Sequence, residues 1–140
     1  MPSAEVPIPP SANHLWRAVS RMNRRGIRKT FVTKTLRYKH WLEEAVLLLR
    51  CGLSKPRSYP VGVRIAIRGG KGWDVRRDLD NATKALVDAI KHADRIPDDS
   101  TEYVDRIELE YIPPTHKNAR AGCTVELVER TDGQVKSEAA

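Results

Sequence analysis

The sequence is short of the residues that staple, anchor or export a protein. Only two cysteines occur, Cys51 and Cys123, far apart and outside any Cys-x-x-Cys spacing. That excludes a disulfide framework and a cysteine zinc site, and two reduced thiols of the cytosolic kind are expected. The longest apolar run is Ala45–Leu49, against about 20 residues needed to cross a bilayer. No membrane partner is therefore expected. The opening MPSAEVPIPP has neither a basic nor an apolar leader region, so no secretory signal is expected and the location is read as cytoplasmic. His14, His40, His92 and His116 show no metal-ligand spacing and read as ordinary surface or core histidines.

Acids are also missing, from one half of the chain. No Asp or Glu lies between Glu5 and Glu43, a stretch that holds Arg17, Arg21, Arg24, Arg25, Arg28, Lys29, Lys34, Arg37 and Lys39. Residues 1–73 carry 15 Lys and Arg against 3 acids, whereas residues 74–140 carry 10 against 15. The net charge of +7 is thus a strongly basic half joined to an acidic one. A basic surface of this size favours a polyanionic partner. Two readings follow: a protein that grips a phosphate backbone and sets carboxylates against it, or a general nucleic-acid binder with a solvated acidic face.

The 140 residues are enough for one domain with a real core. No repeat or low-complexity tract divides the chain. One domain over 1–130 is expected, with 131–140 a polar, frayed tail. A short extended segment, Glu5–Ile8, is stopped by Pro9-Pro10. Residues 13–34 are basic and irregular, with Gly26 as a turn and Arg28–Thr33 as a hairpin arm. Thr35–Arg50 reads as a helix, since Tyr38, Trp41, Leu42, Ala45, Val46 and Leu49 recur at three- and four-residue steps. Thr35 can cap it and Gly52 can stop it. Val61–Arg68 alternates apolar with polar or small residues as a half-buried strand. A Gly-rich loop, residues 69–72, follows. Asp80–His92 reads as a second helix with Ala82, Ala85, Leu86, Ala89 and Ile90 as its stripe. Glu102–Ile112 and Gly122–Glu129 read as strands, the first with Tyr103, Asp105, Ile107, Leu109 and Tyr111 on one side. The expected fold is α+β in two layers: two helices on one face of a small mixed sheet, in the order β-α-β-α-β-β with the arm after the first strand.

The segment RRDLDNATKALVDAI, residues 76–90, is the richest in chemistry. Asp78 and Asp80 are two apart, and on the helix that follows Asp80, Lys84 and Asp88 share a face away from the apolar stripe. Asp98-Asp99 lies in the next loop. Clustered carboxylates repel one another unless a cation sits among them. A hard divalent ion such as Mg²⁺ takes oxygen ligands, keeps several waters and bridges to phosphate. Lys84 can stabilise a developing oxyanion there. Plainer readings stand beside these. Asp78 or Asp80 can be a helix cap, Asp80–Lys84–Asp88 a surface ion-pair ladder, and Asp98-Asp99 turn chemistry. Lys71, Arg76 and Arg77 flank the acids and are read as phosphate contacts beside them. Trp16 can stack on an unpaired base, Trp41 belongs to the core face of its helix, and Trp73 fits either role.

RRDLDNATKALVDAI followed by IPDDSTEYV resembles the signature of the RusA family of Holliday-junction resolvases. The shared features are a basic run into Asp-x-Asp-Asn, a Lys four residues after the second Asp, an Asp four beyond it, and an Asp-Asp pair before a strand. PIPPSANHLWR is similar to the family's proline-rich start. The resemblance covers roughly residues 5–130, with a departure at Arg95-Ile96-Pro97, where the family has an aromatic or bulky apolar residue. It implies a homodimeric, cytoplasmic, nucleoid-associated endonuclease that cuts four-way DNA junctions in recombination and repair. Mg²⁺ would be its cofactor, with Mn²⁺ able to substitute. By motif position Asp78, Asp80 and Asp99 match the metal-binding acids, and Lys84 the catalytic lysine, working with Asp80. Asp88 and Asp98 match positions of less defined role. Arg17, Arg21, Arg24, Arg25, Arg28 and Lys29 would grip the DNA. Two other functions fit the same residues: a nuclease for flaps or forks, or a non-catalytic nucleic-acid-binding module.

Overall fold

Helix periodicity is clearest between Leu36 and Gly52, and there the chain forms α1 in the computed structural model. The model describes residues 2–11 and 16–130, with the strand segments 16–21 and 29–34 described by their backbone alone. The expected tail at 131–140 and the residues around His14 lie outside this description. Tyr38, Trp41, Ala45 and Leu49 of α1 are buried. The Thr35 hydroxyl accepts the Tyr38 N–H at 3.2 Å and so caps the helix. Gly52 is the last helical residue rather than a stop beyond it. A Cβ there would stand 2.7 Å from the Ala4 side chain, so the missing side chain lets the first strand run close beneath the helix.

That strand, β1, covers Ser3–Val6, two residues earlier than expected. It pairs antiparallel with β6 (Gly122–Glu129), and the proline-rich residues 7–10 take no part in the ladder. The basic arm is a hairpin, β2 (Trp16–Met22) against β3 (Arg28–Lys34), and it forms a sheet of its own. The Asn23 side chain accepts the N–H groups of Arg25 and Ile27, both at 2.9 Å, and Gly26 takes a positive φ of 78° between them.

β4 (Val61–Arg68) is the central strand. It pairs parallel with β5 (Val104–Ile112) and antiparallel with β6, which gives the order β1-β6-β4-β5. Val61, Val63, Ile65 and Ile67 are essentially fully buried. Against them pack α1 and α2 (Thr83–His92), the latter through Ala85, Leu86, Ala89 and Ile90. The opposite face carries charge. Arg64 Nε lies 3.0 Å from Glu108 and its Nη1 3.5 Å from Glu126, while Arg68 binds Glu5 and Thr124. Such exposed pairs contribute little each, but they keep that face polar. The result is the two-layer α+β fold, with both helices on one side of a mixed sheet.

Two further boundaries differ from the sequence reading. The second helix begins at Thr83, after a 3-10 turn over Leu79–Ala82. β5 begins at Val104, because Ser100 O accepts the N–H groups of Tyr103 and Val104, both at 2.9 Å, in a turn. A register shift at the start of the β4–β5 ladder follows.

Both cysteines are free. Cys123 is fully buried on β6, and burial pushes its thiol up to about 12, while Cys51 is exposed. A thiolate is the reactive form. One thiol per chain should therefore react with a disulfide reagent at pH 8 in the native protein, and two in guanidinium. Two fast-reacting thiols in the native state would contradict the burial of β6.

Candidate active site

The acid-bearing segment hangs between the exit of β4 and the start of α2. Gly70 makes its first bend: its φ is 136°, and a Cβ there would lie 2.3 Å from the Ala119 carbonyl. Lys71 N–H donates to Ala119 O at 2.9 Å, and Ala121 N–H to Lys71 O at 2.8 Å, so the bend is sewn to the chain entering β6. The Lys71 side chain is exposed. Trp73 then turns inward and is buried.

Asp74 organises the next turn. Its carboxylate accepts the Arg76 N–H at 3.0 Å and meets the Arg76 guanidinium at 3.3 and 3.2 Å. That guanidinium holds the Asp74 carboxyl below its usual range, and Arg76 is raised in return. Arg76 is thus an exposed cation whose nearest anion is its own neighbour.

Arg77 behaves differently. Its Nε donates to Asn81 Oδ1 at 2.6 Å, Nη1 to Pro9 O at 2.8 Å and Nη2 to Pro10 O at 3.2 Å. The guanidinium also lies over Trp73, 4.9 Å from the ring centroid. Burial lowers its pKa, though the group stays charged. All three guanidinium nitrogens therefore bind protein, and Arg77 joins the N-terminal proline segment to the acidic turn.

Asp78 and Asp80 lie on either side of Leu79 on that turn. Asp78 occupies the capping position, yet its side chain makes no cap bond; its carbonyl accepts the Asn81 N–H at 3.1 Å. Both carboxylates are exposed and form no ion pair or side-chain hydrogen bond among the described residues. Lys84 is 77% exposed and reaches Asp88 at 3.8 Å, not Asp80. Asp88 is half-buried; after burial, its charge is the second cause that raises the Tyr38 hydroxyl on α1. Asp98 accepts the Asp99 N–H at 2.9 Å and pairs with Lys91 at 3.3 Å. These contacts, the Asp99 amide first, hold its carboxyl below the usual range. Asp99 is exposed.

Asp74, Arg76, Arg77, Asp78 and Asn81 line a cleft of about 610 Å³ together with Pro9, Pro10 and Arg37. Arg24, Arg25 and Arg28 are exposed at the hairpin turn. Register sets Arg21 opposite Lys29 and Arg17 opposite Thr33, but the side chains of Arg17, Arg21 and Lys29 lie outside the described residues, as does that of Trp16. Trp41 belongs to the core, its Nε1 donating to Pro7 O at 2.8 Å, and Trp73 is the platform under Arg77. Sequence reasoning overlooked Arg37 as a cleft residue and the Pro9 and Pro10 carbonyls as partners for Arg77. The spacing of Arg77 and Asn81, four apart, was the available signal for that part of the clamp.

No protein-family model matches this chain, and no curated protein matches it. The acids must therefore be weighed on their own chemistry. Mg²⁺ needs hard oxygen donors and is held by one or two carboxylates plus water and phosphate. Asp78 and Asp80 are exposed donors of that class, and of the two Asp78 lines the cleft. Among the described residues no three Asp, Glu, His or Cys side chains come together as a metal-ligand group, so Asp99 does not join them here.

Replacing Arg77 with Ala should lower stability by about 2 kcal/mol, since two charge-assisted bonds to carbonyls and the contact with Trp73 are lost. Arg77→Lys should recover only part, because an ammonium lacks the planar fork. Urea unfolding measures both. An Arg77→Ala protein with an unchanged midpoint would show that the clamp holds nothing.

Proposed function

We propose that the chain is a Mg²⁺-dependent endonuclease for branched DNA that resolves four-way junctions by paired, symmetric phosphodiester cleavage, acting as a homodimer. The observation that carries this reading is that Asp78 and Asp80 are exposed, with no partner among the described residues, on a turn clamped by Arg77 beside a cleft that Arg37 and Arg76 also line. It is supported by the resemblance of residues 76–90 and 96–104 to the RusA signature.

Mg²⁺ bound at such a site supplies Lewis acidity and an activated water. The chain's own residues do the rest. Asp78 and Asp80 offer the oxygen ligands. Lys84 stands in the first turn of α2 with an exposed ammonium that can reach a phosphate oxyanion. Arg24, Arg25 and Arg28 at the hairpin turn bring charge to the DNA backbone. Two identical sites related by a two-fold axis match the pseudo-twofold symmetry of a four-way junction.

Two observations favour a second reading, a non-catalytic nucleic-acid-binding module: Asp98 is tied to Lys91, and Asp99 does not gather with Asp78 and Asp80. Nicking of labelled branched DNA with and without Mg²⁺ separates the two. Comparison of four-way, three-way and linear substrates separates junction resolution from flap or fork cleavage.

Asp80→Asn should abolish cleavage while junction binding stays equal or becomes tighter, because the change removes a metal ligand and a repulsive charge together. A variant that cuts at the wild-type rate would sink the assignment. Lys84→Ala should slow single-turnover cleavage by about 100-fold or more, with affinity in Ca²⁺ little changed. If Lys84 serves only as the partner of Asp88, the same change should leave the rate alone.

A further inference from the structure

We infer that the outer edge of β5 is an interface between two copies of this chain, formed when β5 pairs antiparallel with itself about a two-fold axis at Ile107. The inference rests on the proposed homodimer for the number of copies, and on nothing in the proposed chemistry.

β5 is nine residues long and stands at the end of the sheet; no described strand pairs with its outer side. Such an edge displays a row of unpaired N–H and C=O groups. Their direction follows from one bond. Gly69, just past β4, donates to Ile112 O at 2.8 Å, so the Ile112 carbonyl faces β4. Alternation then turns the backbone groups of Ile107, Leu109 and Tyr111 outward.

The same three residues lie in register with Val63, Ile65 and Ile67 of β4, on the helix-bearing face. The β4 residues are buried, yet Ile107 is 45% exposed and Tyr111 36%. Tyr111 also lines a groove of about 160 Å³ with Trp73, Val75 and Leu79, and Val75 is 83% exposed. The edge thus offers hydrogen-bonding groups and apolar surface together, a combination that calls for a cover.

The order of charges along β5 selects a second β5 as that cover, in one register. With the axis at Ile107, that residue meets its own copy, and Arg106 meets Glu108 on both sides of the axis. With the axis at Leu109, Glu108 meets Glu110 twice. With the axis at Glu108, that acid meets itself. Of these three, only the first sets opposite charges across the seam and no acid against acid. Arg106 already lies 3.4 Å from Glu108 in its own chain, and Arg64 lies 3.0 Å from Glu108. The pairing would therefore extend the charge ladder of the open face from one copy into the next. It is also a closed, two-fold contact, which ends at two copies.

The test uses the full chain without DNA or Mg²⁺. Sedimentation should give a dimer. In a Cys51→Ser background, Ile107→Cys should form a disulfide-linked dimer under mild oxidation. A bonded antiparallel pair has Cα atoms about 5.5 Å apart, inside the range a disulfide spans. Leu109→Cys should cross-link at least about tenfold less, since its two copies would sit about 14 Å apart along the strands. Ile107→Asp sets like charges face to face and should weaken self-association by about tenfold or more, with circular dichroism confirming the fold. A dimer that survives Ile107→Asp and does not cross-link at position 107 overturns this interface and leaves the homodimer standing. A monomer at every concentration overturns both. Absence of cleavage in a dimer cross-linked at 107 would count against the nuclease and leave the interface intact.

Discussion

A guanidinium that is half withdrawn from water must find acceptors for its donors, and in this protein it finds them on two distant parts of the chain. Arg77 is met by the carbonyls of Pro9 and Pro10 and by the amide oxygen of Asn81, with the Trp73 ring beneath. Proline carbonyls suit the task, since a proline segment has no N–H of its own to draw it into a ladder. The geometry of the acidic turn follows from this contact. The turn has few apolar anchors besides Trp73, Leu79 and Ala82, so its shape depends on what Arg77 holds. Asp78 and Asp80 stand clear because their neighbours Asp74 and Arg77 absorb the local hydrogen bonds.

The sheet divides the molecule electrostatically. One face is closed by α1 and α2 over an aliphatic layer with Ile65 and Ile67 at its centre. The other carries two sets of ion pairs, Arg68 with Glu5 and Arg64 with Glu126 and Glu108. Mutual neutralisation there means that the excess positive charge of the N-terminal half is concentrated elsewhere, on the hairpin turn and in the cleft with Arg37. The charge asymmetry seen along the sequence is thus in part a partition in space between a neutralised sheet face and the exposed Arg24, Arg25 and Arg28 of the hairpin turn.

Much of this architecture was legible in the sequence. The three- and four-residue steps of Tyr38, Trp41, Ala45 and Leu49 identify α1, and the two-residue steps of Val61 to Ile67 identify β4, because both elements bury one side against a single layer. The second strand of the hairpin was legible from Phe31, Val32 and Thr33, whereas the first, Trp16–Met22, lies in a stretch that reads as irregular. What escaped depends on distant contacts. The start of β1 is set by pairing with β6, more than a hundred residues away. The 3-10 turn before α2 carries no period of its own. Arg77 looked like a phosphate contact because it stands in a basic run, and its actual partners are 67 and 68 residues distant. Acids that lie together in the sequence, Asp78 and Asp80, lie on one turn, whereas joining Asp99 to them requires a tertiary contact that no spacing encodes.

A single residue, Thr35, separates the end of β3 at Lys34 from the start of α1 at Leu36. The helix is fixed to the core by four buried side chains, and among the described residues the strands of the hairpin pair with each other alone. On its C-terminal side the arm therefore joins the helix through one pair of backbone dihedrals. A seven-residue strand reaches about 23 Å, so a rotation of about 10° at Thr35 would carry the hairpin turn through roughly 4 Å. The Thr35 hydroxyl, by capping α1, holds one of those two dihedrals extended. The residue that starts the helix thus also sets the angle at which Arg24 and Arg25 are presented.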